Sequence, residues 1–127
     1  IDPGFVRGFQ ESTVANSIPP AYLDTFVRES LKMPAYVWRA VFAGFLEDDF
    51  AAELPRVTAQ TLILWGDRDS FCPRADQSVL VNAIPRSQLI AYQGVGHAVH
   101  WEKPQRFAAD VAAFSSSLRM EERRNRP

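Results

Sequence analysis

The sequence lacks the features that mark several specialised classes of protein. Its single cysteine, Cys72, excludes an internal disulfide framework, so we expect a reducing, cytoplasmic location. The formal net charge of −1 gives no electrostatic reason to expect nucleic acid or an anionic membrane as a partner. No apolar run approaches the roughly 18 residues needed to span a bilayer, and no charged-then-apolar secretory leader is present. With 46% hydrophobic and 23% charged residues, the composition indicates one ordinary globular domain.

The N-terminal part of the chain predicts a loop and then two helices. Residues 1–18 are rich in turn formers and predict mostly loop. Pro19-Pro20 begins a helical pattern that Pro34 ends, and a second pattern of the same spacing follows. The apolar residues of the two predicted helices are Leu23, Phe26, Val27 and Leu31, then Trp38, Val41, Phe42, Phe45 and Leu46. We expect both apolar faces to be core; the alternative is that some of the aromatic residues line a pocket.

The second half of the chain predicts alternating strands and helices. The apolar run 61–65 is short and continuous, which is typical of a strand covered on both faces. A helix from Pro73, a second strand over 88–92 and a last helix from Pro104 follow. This order predicts an α/β fold with two parallel strands joined by a right-handed crossover.

Ionisable residues follow both predicted strands. Asp67 and Asp69 come after the first strand, and the segment Gly94-Val95-Gly96-His97 comes after the second. Functional groups of open α/β sheets lie just beyond the carboxyl ends of the strands, and adjacent parallel strands bring their following loops to one edge. A carboxylate beside an imidazole fixes its tautomer and stabilises the imidazolium that forms when it takes a proton. The sequence therefore predicts a functional pair made of Asp69 and His97.

These motifs carry a family resemblance. Trp65-Gly66-Asp67-Arg68-Asp69, followed by Gly94-Val95-Gly96-His97-Ala98 and by Glu102-Lys103-Pro104, is similar to the closing segment of α/β-hydrolases. The resemblance is tight over residues 55–118. It implies that Asp69 is the acid of a catalytic triad, that His97 is its general base, and that Asp67 is the turn residue before the acid.

The resemblance also implies a division of the chain. Residues 1–54 correspond to a helical, cap-like segment, and residues 55–120 to the C-terminal βαβα part of an α/β-hydrolase core. Residues 121–127 are charged and predict a frayed tail. The implied fold class is α/β, a partial α/β-hydrolase fold in which two parallel strands have flanking helices and N-terminal cap-like helices.

The sequence departs from the family pattern at the nucleophile. In this fold the order is Ser, then Asp or Glu, then His, with the serine on a Gly-x-Ser-x-Gly turn. Neither that motif nor a version with Asp or Cys occurs in these 127 residues, and the oxyanion-hole segments are also missing. We therefore predict no triad catalysis by this chain alone. The missing nucleophile, together with Ile1 as the first residue, predicts a piece of a longer chain.

Two further patterns bear on metals and cofactors. His100 lies three residues after His97, which suggests a metal site with Asp67, Asp69 or Glu102, but no metal-motif spacing supports it, and we expect no metal. The two glycines before His97 form half of a dinucleotide-binding fingerprint and lack the rest of it, so we expect no cofactor.

Each candidate residue also has an ordinary structural interpretation. Asp69 could cap the helix that begins near Pro73, a common role for aspartate, and His97 could be a buried, hydrogen-bonded histidine. Cys72 lacks both an elbow and an evident activating partner, so we expect a packed thiol and not a nucleophile.

The leading functional hypothesis is the acid- and histidine-bearing part of an esterase- or lactonase-like hydrolase, acting in the intact protein on a small apolar ester-like substrate. The alternatives are a haloalkane dehalogenase, an epoxide hydrolase or a perhydrolase of the same superfamily, or a non-catalytic interaction protein. The first strand would expose an unpaired edge. We therefore expect a homo-oligomer, or association with a complementary N-terminal hydrolase fragment.

Overall fold

The computed structural model describes residues 1–124 and confirms the predicted α/β class, with two parallel strands and flanking helices. In chain order the elements are α1 (Pro3–Ser12), α2 (Pro20–Leu31), α3 (Ala35–Glu47), a 3₁₀ helix (Ala51–Arg56), β1 (Thr61–Gly66), α4 (Arg74–Ala83), β2 (Ser87–Tyr92), α5 (Val99–Glu102) and α6 (Pro104–Arg124). Among residues 1–124, none of the helices is both long enough and apolar enough to cross a membrane.

The sheet consists of β1 and β2 in parallel, with α4 in the connection between them. Their register runs from Thr61 opposite Ser87 to Gly66 opposite Tyr92, so the two strands end level with each other. In the described part of the chain each strand has one partner, and each therefore has one unpaired edge. Level strand ends place the two following loops side by side.

A small core lies directly beneath those loops. Tyr92, Val95 and Val99 are almost fully buried, and Leu64, Ile90 and Phe107 pack against them. The hydroxyl of Tyr92 donates a hydrogen bond to Asp110 Oδ2 at 2.5 Å, and the Arg106 guanidinium lies 4.0 Å from the centre of the tyrosine ring. Burial, followed by the bond to Asp110, raises the pKa of Tyr92 to about 12, so its hydroxyl stays protonated and donates throughout the physiological range. The loop after β2 thus starts from a rigid base.

The prediction of a loop over residues 1–18 was wrong, because residues 3–12 form α1. Asp2 caps this helix by accepting a hydrogen bond from the Phe5 N–H at 2.8 Å, and proline occupies the first turn, where its missing N–H costs nothing. The face that carries Val6 and Gln10 is buried against α2, and the Gln10 side-chain amide donates to Ser30 Oγ at 2.8 Å. Helix α1 therefore has a buried face, which the sequence did not predict.

The helices α2 and α3 occur where the sequence predicts them, but the expectation that the face of α3 is core was wrong. None of its residues is buried, and Phe45 and Leu46 are 77% and 89% exposed. Helix α3 is held through edge-to-face aromatic contacts instead: the ring of Phe9 lies 5.7 Å from Trp38 and 6.4 Å from Phe42. The described residues contain no further layer against its outer face, and this leaves the apolar side chains in solvent.

The last helix continues to Arg124, past the boundary predicted at residue 120. The side chain of Glu121 accepts hydrogen bonds from Arg86, at 3.3 Å, and from Gln60. These contacts join Glu121 to the start of the sheet, and residues 121–124 are helical in the structure, whereas a frayed tail was predicted. The rest of the predicted tail, residues 125–127, lies outside the described residues, and the division of the chain near residue 54 stays a prediction.

Candidate active site

The structure brings Asp69 and His97 together. Asp69 lies three residues beyond β1 and His97 five residues beyond β2, and their side chains meet with 2.8 Å between Asp69 Oδ2 and His97 Nδ1. The parallel register makes this possible, because Gly66 and Tyr92, the last residues of the two strands, are direct partners. The geometry is that of an imidazole oriented by a carboxylate.

Both oxygens of the Asp69 carboxylate are engaged. Oδ2 faces the histidine, while Oδ1 accepts hydrogen bonds from the backbone N–H groups of Phe71, at 2.8 Å, and Cys72, at 3.0 Å. Helix α4 begins only at Arg74 and has no side-chain cap, so Asp69 closes a turn and is not the N-cap of that helix. One aspartate therefore shapes its own loop and orients the imidazole.

The environment of Asp69 favours its ionised form. Burial, to 5% exposure of the side chain, acts to raise the pKa of this carboxyl. The hydrogen bonds from the Cys72 N–H, the His97 ring and the Phe71 N–H outweigh that effect, and the pKa lies below its usual value. The carboxylate thus stays charged at neutral pH and can stabilise a positive charge on the adjacent imidazole.

His97 presents its second ring nitrogen for chemistry. With Nδ1 donating to the carboxylate, Nε2 is the unprotonated nitrogen of the neutral ring and can accept a proton. Within residues 1–124 no hydrogen-bond partner occupies Nε2. The side chain is 46% exposed, so His97 is not the buried structural histidine of the alternative interpretation. The ring of Phe71 lies 5.4 Å away, so one side of the imidazole is bordered by an apolar surface.

Asp67, predicted as a turn residue before the acid, joins the two loops. Its Oδ1 accepts a hydrogen bond from the Gly94 N–H at 2.6 Å, and its own N–H donates to the carbonyl of Tyr92 at 3.0 Å. Gly94 has a φ of +70°, a left-handed conformation that favours glycine. The loop that carries the acid and the loop that carries the histidine are therefore one connected structure.

A contribution from the N-terminal half was not predicted. The backbone N–H of Ala98 donates to the carbonyl of Thr13 at 2.9 Å, and the Asn16 side-chain amide donates to the carbonyl of Gly94 at 2.6 Å. Residues 13–16, which follow α1, thus lie against the histidine loop. Partners separated by about 80 positions leave no periodic signal in the sequence, although Asn16, a polar residue able to bond backbone groups, is the type of residue to expect there.

The described residues include one group of three potential metal ligands, Asp69, Cys72 and His97, whose ligand atoms all lie within 4.8 Å of one another. Burial, followed by the charges of Asp69 and Asp76, raises the pKa of the Cys72 thiol, which disfavours the thiolate that a metal would require. A bound cation would also replace the hydrogen bond between the aspartate and the histidine. These properties fit a packed thiol better than a ligand, and the absence of a metal stays a prediction.

His100 turns away from this group. Its ring contacts Trp101 and Phe107, with centroids 5.2 and 5.7 Å apart, and burial, followed by the charge of His97, lowers its pKa. The structure does not bring His100, Asp67 and Glu102 together as a metal site.

Comparison with known proteins places this geometry in a family. No family model matches the chain. The chain is 33% identical, over 84% of its own length, to a 2-hydroxy-6-oxononadienedioate/2-hydroxy-6-oxononatrienedioate hydrolase from Cupriavidus pinatubonensis, and covers 37% of that protein. It is 30% identical, over 69% of its length, to a 2-hydroxy-6-oxo-6-phenylhexa-2,4-dienoate hydrolase from Burkholderia cepacia, of which it covers 27%.

Solved structures agree on the fold. An esterase from Exiguobacterium antarcticum superposes with a TM-score of 0.83 at 23% identity, over 88% of this chain and 42% of that one. A serine hydrolase of carbazole degradation gives 0.71 at 16% identity, over 91% and 47%.

The chain belongs to the α/β-hydrolase family and matches the C-terminal part of its members. It spans less than half the length of each of these relatives.

Proposed function

We propose that Asp69 and His97 are the acid and the general base of a cytoplasmic hydrolase of the esterase or lactonase type. The observation that carries this proposal is the 2.8 Å bond between Asp69 Oδ2 and His97 Nδ1, which leaves Nε2 of a half-exposed ring available. The nucleophile is not among these 127 residues and belongs to a part of the active protein that precedes them in the family order Ser–Asp–His.

In the proposed reaction a serine hydroxyl attacks the carbonyl carbon of an ester while His97 Nε2 takes the hydroxyl proton. Asp69, ionised and bonded to Nδ1, stabilises the imidazolium that results. His97 then gives the proton to the departing alkoxide, which leaves as an alcohol. Water attacks the acyl-enzyme by the same proton route, and this releases the acid and restores the serine. Every proton that the base accepts is returned within the cycle.

The surroundings of His97 support a small apolar substrate. Phe71 borders the imidazole, and the ring of Phe9 lies 6.0 Å from Phe71 and 5.7 Å from Trp38. This row of aromatic rings leads from the histidine to α3. Phe71 and Phe42 are each 46% exposed, so the row has faces open to an apolar group. Pockets of this character bind apolar portions of substrates and leave orientation to a few polar groups.

A second candidate function comes from the relatives. Several of them are named as hydrolases of hydroxy-oxo-dienoates, and the identity of 33% over 84% of the chain favours a hydrolase of such dienoates that uses the same acid and histidine. Haloalkane dehalogenase, epoxide hydrolase and perhydrolase activities stay as alternatives, because the nucleophile and its pocket distinguish them. A non-catalytic interaction protein is the alternative outside enzymes.

Two assays test the proposal. The isolated chain is expected to show no turnover of p-nitrophenyl acetate above the buffer rate, since it lacks the attacking atom. A chimera, in which the chain replaces the matching C-terminal part of the Cupriavidus relative, is expected to hydrolyse esters or the relative's dienoate. His97→Asn should then lower kcat about 10³-fold or more, while His100→Asn, the matched control, should leave it nearly unchanged.

The outcomes separate the hypotheses. Preference of the chimera for the dienoate over the ester would select the second candidate. A folded chimera without any activity would favour the interaction protein, and turnover by the isolated chain that depends on His97 would contradict the predicted inactivity.

We also propose a protein partner for this chain, either a second copy or the complementary N-terminal part of a hydrolase. The outer edge of β1 is unpaired among the described residues, and α3 exposes Phe45, Leu46 and Val41. An open strand edge and an exposed apolar helix face are each a template for association.

A further inference from the structure

The carboxylate of Glu102 is the centre of a hydrogen-bond cluster that the proposed reaction does not use. Oε1 accepts from the backbone N–H groups of Gly96, at 2.7 Å, and Ala15, at 2.9 Å. Oε2 accepts from the backbone N–H of Asn16, at 3.1 Å, and from its side-chain amide, at 2.5 Å. Four donors saturate the capacity of one ionised carboxylate, and bonds to a charged acceptor are roughly twice as strong as neutral ones.

These bonds fix the backbone on both sides of His97. Gly96, the residue before the histidine, donates to Glu102, and Ala98, the residue after it, donates to the carbonyl of Thr13 at 2.9 Å. Glu102 at the same time binds residues 15 and 16, so the histidine loop and residues 13–16 share one anchor. Among residues 1–124 the imidazole itself makes one hydrogen bond, to Asp69. Its position therefore depends on how firmly the adjacent backbone is held.

The packing leaves the loop little freedom. A Cβ placed on Gly96 would lie 2.6 Å from the backbone nitrogen of Ala15 and 3.0 Å from Glu102 Oε1. Glu102 is held in turn by the short helix α5, in which its N–H donates to the carbonyl of Ala98 at 3.2 Å. Glu102 therefore contacts the histidine loop twice, through its carboxylate at Gly96 and through its backbone N–H at Ala98.

The arrangement also reaches the N-terminal helices. Thr13 ends α1, and its hydroxyl donates to the carbonyl of Gln10 at 2.7 Å. The side chain of Gln10 donates in turn to Ser30 on α2. Displacement of α1 would therefore move residues 13–16, and with them the loop that carries the histidine.

We propose that Glu102 is a positioning residue for His97: it binds the histidine loop to residues 13–16 and so holds the imidazole at hydrogen-bonding distance from Asp69. This inference rests on the proposed function for its catalytic meaning. The dependence of the contact between His97 and Asp69 on Glu102 can be tested without any enzymatic activity.

The test is NMR spectroscopy of the isotopically labelled 127-residue chain. Glu102→Gln removes the charge and converts one acceptor oxygen into a donor. We expect the amide of Gly96 to exchange at least tenfold faster, and the low-field Nδ1–H resonance of His97 to broaden or disappear. Glu121→Gln is the matched control, a carboxylate whose partners lie at the opposite end of the sheet, and it should leave that resonance unchanged. Glu102→Asp, which keeps the charge, should restore part of the signal.

A merely structural role gives a different result. If Glu102→Gln accelerates exchange at Ala15 and Asn16 but leaves the His97 resonance intact, Glu102 anchors only residues 13–16 and the proposal is overturned. If that variant does not fold, Glu102→Asp decides, because it shortens the side chain by one methylene group and weakens the bond to the Gly96 N–H; faster exchange at Gly96 with an unchanged His97 resonance would again overturn the proposal.

The active chimera supplies a separate readout. There Glu102→Gln should lower kcat by about 100-fold with little change in KM, as expected for a misplaced base. An inactive chimera whose His97 resonance nevertheless depends on Glu102 would reject the proposed function and leave the positioning role in place.

Discussion

The substitution Gly66→Ala gives a severe test of how the loops that carry Asp69 and His97 are packed. A Cβ on Gly66 would lie 2.2 Å from the carbonyl oxygen of Gly96 and 2.3 Å from that of Val95. Side-chain carbons do not approach backbone atoms closer than 3.0 Å, so the histidine loop would have to retreat by about 0.8 Å. The neighbour that must move is backbone, and rotation of a side chain cannot relieve the contact.

The loop has no room on its other side. Residues 13–16 lie against it, and Ala15 N is already within 2.6 Å of the Cβ position of Gly96. Overpacking of a closed site costs about 3 kcal/mol. For an m-value of about 2 kcal/mol/M in urea, the midpoint of unfolding should fall by about 1.5 M.

Equilibrium unfolding in urea, followed by tryptophan fluorescence, measures this shift. Gly8→Ala is the control, since a Cβ at that helical position meets nothing within 4 Å. It should stabilise the chain by up to about 1 kcal/mol, because alanine is the better helix former. If Gly66→Ala unfolds at the same urea concentration as the unsubstituted chain, then the loop is free to move, and the reasoning on its rigidity fails.

Two further predictions concern the carboxylate of Asp69 and the exposed apolar surfaces. Because the folded pKa of Asp69 lies below that of the unfolded chain, its ionised form stabilises the fold above about pH 3.9, and this contribution is lost as the pH falls through the folded pKa. The free energy of unfolding should thus decrease less steeply below pH 4 in Asp69→Asn, and identical slopes would contradict the assignment. Light scattering should report a mass above the 14.3 kDa monomer, reduced when Phe45 and Leu46 are replaced by serine. A stable monomer at high concentration would argue against association.

The strands and the meeting of Asp69 with His97 could be predicted because their signals are local. A short apolar run ended by Gly66-Asp67 specifies β1, and parallel strands bring the residues that follow them to one edge. The order of the strands along the chain was enough to predict that Asp69 and His97 lie close together. Residues 13–16 and Glu102 could not be placed in the same way, because the backbone N–H groups of residues 15 and 16 donate to the Glu102 side chain 87 and 86 positions away, and such bonds follow no side-chain period.

The errors have physical causes of the same kind. Gly4 and Gly8 suggested a loop, whereas the capping bond of Asp2 and the buried face of α1 outweigh the low helix propensity of glycine. The apolar pattern of α3 predicted the helix correctly but not its burial. Such a pattern shows which face of a helix is apolar, but not whether the described chain contains an element that packs against that face.

Because β1 and β2 end level with each other, the hydrogen bond between His97 and Asp69 depends on the register in which the two strands pair. A slip of one residue would displace one strand by about 3.3 Å along the other. We expect a displacement of that size to move the His97 loop away from the Asp69 loop and to break the 2.8 Å hydrogen bond between His97 Nδ1 and Asp69 Oδ2. We therefore expect the Nδ1–H proton of His97 to report on the pairing of the two strands as well as on the candidate site.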